Sequence, residues 1–160
     1  MKAWQKGYLA AMLDAESHLG IQKVIPPRGI TPQYLVRFEL AMTDKKTVDF
    51  VASLLPQPRR VAVGAKNRRL PYYKLRLFKR HLLDLLKQIR PYVQGKARQV
   101  DLIFEMEKLR RRFTPPKEHY GKAKFLKMPA EFHQPADAIY CEFRSLQLNK
   151  KPRGKEVKEG

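Results

Sequence analysis

The sequence predicts an α+β domain in which a four-stranded antiparallel sheet carries helices on one face and leaves the other face free. Segments with apolar residues at every second position indicate strands, and segments with apolar residues every three or four positions indicate helices. These segments follow the order αββαββα, with further helices after it. With 160 residues, 43% of them apolar, the chain is long enough to bury a core of its own.

The first predicted element is a short helix that reaches Asp14 and is rich in leucine, alanine and methionine. Small residues recur along it at intervals of four: Ala3, Gly7, Ala11 and Ala15. This nearly bare face invites close approach of another backbone. The carbonyl end of a helix favours cations, yet Asp14 and Glu16 stand there. Either a bound divalent cation or a solvated helix end explains the two acids.

Two strands are predicted next. The first has Leu19 and Ile21 on one side and His18, Gly20 and Gln22 on the other, and it ends at a turn containing Pro26 and Pro27. The core side of the second strand is expected to hold Val36, Phe38, Leu40 and Met42. Its outward side is expected to hold Leu35, Arg37, Glu39 and Ala41. This outward side is polar at its centre and therefore suits a ligand.

A helix over 47–55, capped by Thr43 or Asp44, separates this pair from a hairpin. In the hairpin we expect Val61, Val63, Tyr73, Leu75 and Leu77 to face the core around a turn at 66–69. The outward side is then Arg60, Ala62, Gly64, Tyr72, Lys74 and Arg76. A basic surface with an aromatic ring suits phosphates and base edges, although a solvated sheet face has the same composition.

Helices are predicted over 80–93 and 97–112, and two more over 117–128 and 135–148. The domain accordingly covers residues 1–149. The last stretch, 150–160, is charged and poor in apolar residues, so we expect a disordered basic tail.

The charge balance limits the partners. With 34 Lys and Arg against 15 Asp and Glu, the net charge is +19, which favours nucleic acid first and an anionic membrane surface second. The single cysteine, Cys141, excludes an intrachain disulfide and fits a reducing compartment. The apolar run near the N-terminus is too short to span a membrane. Together these observations favour an intracellular protein.

Residues 9–17, Leu-Ala-Ala-Met-Leu-Asp-Ala-Glu-Ser, resemble the LAGLIDADG motif of homing endonucleases. Ala11 and Ser17 stand where that family has glycine, and Glu16 replaces its second aspartate. Residues 91–99 are similar to the Pro-aromatic-Leu…Lys-x-Lys-Gln segment of the small single-motif members. Asp44 stands where those members often carry a glutamine that orders solvent around the metals, and a helix cap is the preferred interpretation of it.

The resemblance implies a homodimer that cleaves double-stranded DNA at a long, near-palindromic site and leaves 3′ overhangs. It implies that Glu16, with the Ala15 carbonyl, binds Mg²⁺, for which Mn²⁺ substitutes, and that Lys96 and Arg98 act near the scissile phosphates. It places Gly7, Ala10, Ala11 and Asp14 at the dimer interface. The residues expected to bind DNA are Gln22, Arg37, Glu39, Arg60, Arg68, Tyr72, Lys74 and Arg76. A small-molecule substrate is not expected. The resemblance also implies an intracellular, DNA-associated protein that is not secreted, in a prokaryotic cytoplasm or nucleoid or in an organelle.

Three alternatives remain open. An intron maturase or other RNA-binding protein has the same charge balance, because basic charge alone does not separate RNA from DNA. A DNA-binding protein of the same fold that has lost catalysis is the second, and the retention of Glu16 and Lys96 argues against it. A basic ribosomal-type protein is the third, and it leaves the acid-tipped apolar helix without an explanation.

Overall fold

The computed structural model describes residues 1–25, 31–63, 71–114 and 128–148, apart from the side chains at 62, 63 and 79. Its helices are α1 (Ala3–Ala15), α2 (Lys45–Leu54), α3 (Lys79–Ile89), α4 (Ala97–Phe113) and α5 (Ala130–Leu148), with a 3₁₀ turn at Arg90–Tyr92 after α3. Its strands are β1 (Ser17–Val24), β2 (Gln33–Met42), β3 (Arg59–Val63) and β4 (Tyr72–Phe78). The predicted order of elements is therefore confirmed.

The four strands form one antiparallel sheet in the order β1-β2-β4-β3. Along β2, Val36, Phe38 and Leu40 are buried, whereas Leu35 and Ala41 are exposed. Cross-strand partners share a face, and Leu40 stands opposite Leu75 while Glu39 stands opposite Arg76. The predicted facing of β1, β2 and β4 is thus confirmed: one face is apolar, and the other carries the polar residues.

The prediction for β3 is wrong by one residue. Arg60 stands opposite the buried Leu75 and lies on the helix-covered face, whereas Arg59 stands opposite Arg76 on the outer face. On that covered side the Arg60 guanidinium is 3.6 Å from the Asp49 carboxylate of α2. A shift of one position turns every side chain of a strand over. The helix-covered side of this short edge strand therefore carries Arg60, paired with Asp49, where the apolar pattern predicted Val61 and Val63.

The core lies between the sheet and the helices. Leu13 of α1, Leu40 of β2, Leu75 of β4, Ile103 of α4 and Phe143 of α5 are each fully enclosed at 0% exposure. Because all five helices contribute to this one cluster, the sheet has a single covered face. Helices α3 and α4 contribute a row of buried apolar residues to this cluster: Leu82, Leu83, Leu85, Leu86, Ile89, Val100 and Ile103.

The C-terminal part of the fold differs from the prediction in where its last helix begins. Helix α5 begins at Ala130, five positions before the predicted start, because Pro135 lies inside the helix instead of opening it. The predicted helix over 117–128 and the tail over 150–160 lie almost wholly outside the described residues. Within the part of the chain that is described, no helix has the length and apolarity needed to cross a bilayer.

Candidate nucleic-acid interface and cleavage site

The outer face of the sheet is polar and basic. A row of four residues crosses it from β1 to β3, formed by His18, Glu39, Arg76 and Arg59. The neighbouring positions on the same face are Gln22, Leu35, Arg37, Lys74 and Tyr72. The sequence-predicted DNA-binding residues of β1, β2 and β4 therefore share one surface. Arg60 does not belong to it, and Arg68 lies outside the described residues.

Glu39 lies among the cations of this face. Its carboxylate accepts a hydrogen bond from Arg76 Nε at 2.8 Å and lies 3.0 Å from Lys74 Nζ. Burial disfavours ionisation of the carboxyl, but the hydrogen bonds and charges of Lys74 and Arg76 outweigh it and lower the pKa of Glu39. The group is therefore an anion at neutral pH, set into a cationic surface.

Gly20 leaves room for its neighbours on this face. A Cβ atom placed on it would lie 3.1 Å from His18 Nε2 and 3.7 Å from Arg37 Cγ. These two side chains cover Gly20, which is buried although its position belongs to the outer face. Arg37 Nε is itself enclosed and has no hydrogen-bond partner within the described residues. Buried donors of this kind are costly unless an acceptor reaches them, so Arg37 is a candidate ligand contact.

Asp14, the first of the two acids at the carbonyl end of α1, has partners within the chain. The Asp14 carboxylate accepts hydrogen bonds from the backbone N–H groups of Gln94, at 2.8 Å, Gly95, at 3.1 Å, and Lys96, at 2.8 Å. These groups belong to the turn that opens α4, where backbone donors would otherwise lack partners. Asp14 of α1 therefore caps the turn that precedes α4, and its place at a dimer interface stays a prediction.

The Lys96 side chain in turn binds the carbonyl end of α1. Its ammonium donates to the carbonyl oxygens of Leu13, Asp14 and Ser17, the latter two at 2.8 Å, and only 5% of the residue is exposed. An ammonium has three donors, and these three oxygens match them. The cation that the helix dipole favours is thus supplied by the chain itself. This geometry assigns Lys96 a positioning role, and its action on the scissile phosphates stays a prediction.

Glu16 is placed differently from Asp14. It is the C-cap residue of α1, its backbone N–H donates to the Met12 carbonyl, and it is exposed, as is Ala15 before it. Within the described residues, no hydrogen bond or ion pair is formed by its carboxylate, and no three acidic, histidine or cysteine side chains gather into a metal cluster. A carboxylate is a suitable ligand for a hard cation. One such group fits Mg²⁺ only together with oxygens from outside this chain.

Arg98 belongs to the first turn of α4 and pairs with acids of α4 and α5, while its predicted action near the scissile phosphates stays a prediction. Its Nε is 2.7 Å from the Glu142 carboxylate, and its Nη1 is 2.6 Å from the Glu105 carboxylate. The two acids raise the pKa of Arg98, with the hydrogen bond to Glu142 the larger cause. A guanidinium held by two carboxylates is already neutralised, so it clamps the helices together.

The bare stripe of α1 is confirmed as an open surface. Ala3, Ala11 and Ala15 are exposed, and a Cβ atom placed on Gly7 would meet nothing within 4 Å in the described residues. Ala10 does not belong to this surface, because it is 1% exposed and lies in the core. It follows Leu9 on the buried side of the helix, so the geometry of one chain does not support its assignment to a dimer interface, which stays a prediction.

Two groupings of residues that the sequence does not indicate lie at the two ends of α1. At one end, Trp4 stacks on Phe50 of α2 with ring centroids 6.4 Å apart, and both rings are more than 40% exposed. At the other end, a cleft of about 230 Å³ beside β1 is lined by Ser17, His18, Leu19, Lys96, Gln99 and Gln147. No local pattern identifies these groups, since each brings together elements that are distant in the sequence.

Comparison with solved structures agrees with this geometry. The antiparallel sheet with one free face and the acid-tipped helix beside it form the fold of the LAGLIDADG homing endonucleases. The homing endonuclease I-CvuI, solved with its target and Ca, is 15% identical, with a TM-score of 0.66 over 96% of this chain and 85% of that chain. No protein-family model matches the sequence, and a search of curated proteins finds no match either.

Two further structures have the same fold. The archaeal intron-encoded homing endonuclease I-Vdi141I, complexed with DNA, is 12% identical with a TM-score of 0.68, covering 94% of this chain and 86% of that one. The meganuclease I-SmaMI, bound to uncleavable DNA, is 11% identical with a TM-score of 0.61, covering 85% of this chain but 43% of that one. One copy of the present chain thus corresponds to less than half of I-SmaMI.

Proposed function

We propose that this protein is a site-specific endonuclease that binds double-stranded DNA on the outer face of its sheet and hydrolyses phosphodiester bonds beside Glu16. The observation that carries the proposal is that a basic sheet face and an exposed carboxylate lie next to each other. A basic strand face, free of helices, meets the end of α1, where a carboxylate stands exposed and unpaired within the described chain. The solved structures with this fold include homing endonucleases bound to DNA.

The proposed active form is a homodimer. The chain holds one copy of α1, and the stripe at Gly7 and Ala11 is open to a second backbone. Pairing two such helices around a two-fold axis brings the Glu16 residues of both chains together and joins the two sheets end to end. The target is accordingly long and near-palindromic, and cleavage across the minor groove leaves 3′ overhangs.

In this proposal, residues of the chain bind the metal ion, position its ligand and bind the duplex. Glu16 supplies an oxygen ligand, with the Ala15 carbonyl next to it, for Mg²⁺ or Mn²⁺. When bound, the metal ion polarises the scissile phosphate and supplies the nucleophilic hydroxide. Asp14 and Lys96 hold the end of α1 in place, so that the Glu16 carboxylate lies where two chains and the DNA meet. Arg37 and the cations around Glu39 bind the duplex.

The experiment is cleavage of a large library of duplex DNA sites in Mg²⁺ by the wild-type protein and by Glu16→Gln, with binding measured in Ca²⁺. We expect cleavage of one near-palindromic site by the wild type, and undiminished binding without cleavage by the variant. Glu131→Gln, which removes an exposed acid from the first turn of α5, is the matched control and should cut normally.

The other outcomes separate the alternatives. Full cleavage by Glu16→Gln would rule out the assigned metal ligand. Tight duplex binding without cleavage by either protein would indicate a DNA-binding protein that lacks catalysis. Preference for structured RNA over duplex DNA would indicate a maturase or another RNA-binding protein.

A further inference from the structure

The outer face of the sheet carries one carboxylate at its centre, and this is unexpected for a surface that binds a polyanion. Glu39 is enclosed to the same extent as its partner Lys74, with 19% of each side chain exposed. Arg76, its other partner, is 33% exposed. An acid in this position repels phosphate and weakens the affinity for DNA of any sequence. A role for Glu39 in DNA binding must therefore be something other than general affinity.

The contacts of Glu39 determine how the two cations are presented. Arg76 uses Nε for the carboxylate, and its terminal nitrogens form no hydrogen bond within the described part of the chain. Lys74 is held from two sides, because its ammonium also lies 5.3 Å from the centre of the Tyr72 ring. Long side chains held in this way are fixed in direction, whereas free ones follow the nearest phosphate.

From these contacts we infer that Glu39 is a specificity-determining residue, which holds Arg76 against the base edges of the duplex. This inference rests on the proposed DNA-binding function. The two terminal nitrogens of an arginine match O6 and N7 of guanine in the major groove, so the base read by Arg76 is a guanine. The negative charge of Glu39 at the same time weakens attraction to phosphates in DNA of any sequence.

The test compares Glu39→Gln with the wild type in binding to a library of duplex sites in Ca²⁺, followed by a salt titration on the best site. Glutamine keeps the shape but releases the cations. We expect preference for guanine at one base pair of each half-site to fall about tenfold. We also expect the slope of log affinity against log salt to become steeper by about 1.

Two further variants make the result specific. Arg76→Gln should lose preference at the same base pair, because the reading group itself is gone. Asp49→Asn removes a carboxylate that pairs with Lys45 and Arg60 on the helix-covered side, and so makes the same charge change away from the DNA. It should leave the preference at that base pair unchanged.

The outcomes distinguish this inference from the function on which it rests. An unchanged preference and salt slope for Glu39→Gln, in a protein that still binds its site, overturn the role of Glu39 alone. A change of equal size in Asp49→Asn also overturns it, because net charge would then be the cause. Failure of the wild type to bind any duplex overturns the proposed function and the inference together.

Discussion

Asp14 and Lys96 cap each other's helices. The Asp14 carboxylate lies 2.8 Å from the backbone nitrogen of Lys96 at the start of α4, and the Lys96 ammonium donates to the carbonyl oxygens of Leu13 and Asp14 at the end of α1. The two residues are 82 positions apart, so this reciprocal pair joins the first helix to the fourth. Glu16 lies two residues beyond Asp14 and is therefore supported by this junction.

Replacement of Lys96 tests whether the residue positions α1 or acts on the phosphates. Lys96→Met leaves three carbonyl oxygens without their charged donor, and we expect the free energy of unfolding to fall by about 3 kcal/mol. Urea denaturation monitored by circular dichroism measures this. Lys46→Met, at an exposed position on α2, is the control and should change little. A Lys96→Met protein of normal stability that fails to cleave would instead support direct catalysis.

A large side chain at Gly7 tests the proposed dimer. A Cβ atom on Gly7 would meet nothing within 4 Å among the described residues, so we expect the fold to survive Gly7→Phe, while the opposing helix of a second copy is obstructed. Light scattering should then give a mass of 18.8 kDa in place of twice that value. Ser145→Phe adds the same ring at an exposed position on α5 and should remain dimeric. A wild-type protein that is monomeric on its DNA would refute the two-fold arrangement.

Much of the fold and part of the site could be predicted from the sequence, for different physical reasons. The alternation along β2 is a local property, so the facing of Phe38 and Glu39 follows from the residues themselves. The register of β3 is a matter of its pairing with β4, in which Arg60 stands opposite Leu75 on the side of Asp49, and no local pattern contains that pairing. The two acids at the end of α1 are visible in the sequence, but the backbone donors that bind Asp14 and the Lys96 ammonium that binds the helix carbonyls come from a distant turn, which no local pattern contains.

Acid should destabilise the protein through its ion pairs. Hydrogen bonds from Arg90 to Asp101, at 2.7 and 2.8 Å, lower the pKa of that carboxyl, and Lys23 and then Tyr34 lower the pKa of Asp137. An acid with a lowered pKa stabilises the fold above its unfolded pKa, and this contribution is lost as the pH falls through the folded pKa. Both carboxyls have ordinary values of 3.8, so we expect the loss below about pH 4.

Urea denaturation between about pH 3 and about pH 7 measures this dependence. The double variant Asp101→Asn/Asp137→Asn is the comparison, since its amides do not titrate. It should be less stable than the wild type at neutral pH, and the difference should shrink toward pH 3. A constant difference across the range would show that ionisation of these two groups does not contribute.

Phe143 is one of the buried residues that attach α5 to the rest of the fold. Phe143 is fully enclosed at 0% exposure, where α5 packs on α4 and the sheet. Phe143→Ala removes most of a ring from a close-packed core, and we expect the free energy of unfolding to fall by about 3–5 kcal/mol. Leu148→Ala, at the exposed end of the same helix, should change it by less than about 0.5 kcal/mol. Equal, small losses in both variants would show that α5 packs more loosely than the structure indicates, and that Gln147, which donates to the Leu19 carbonyl at 3.0 Å, is not held firmly beside the proposed site.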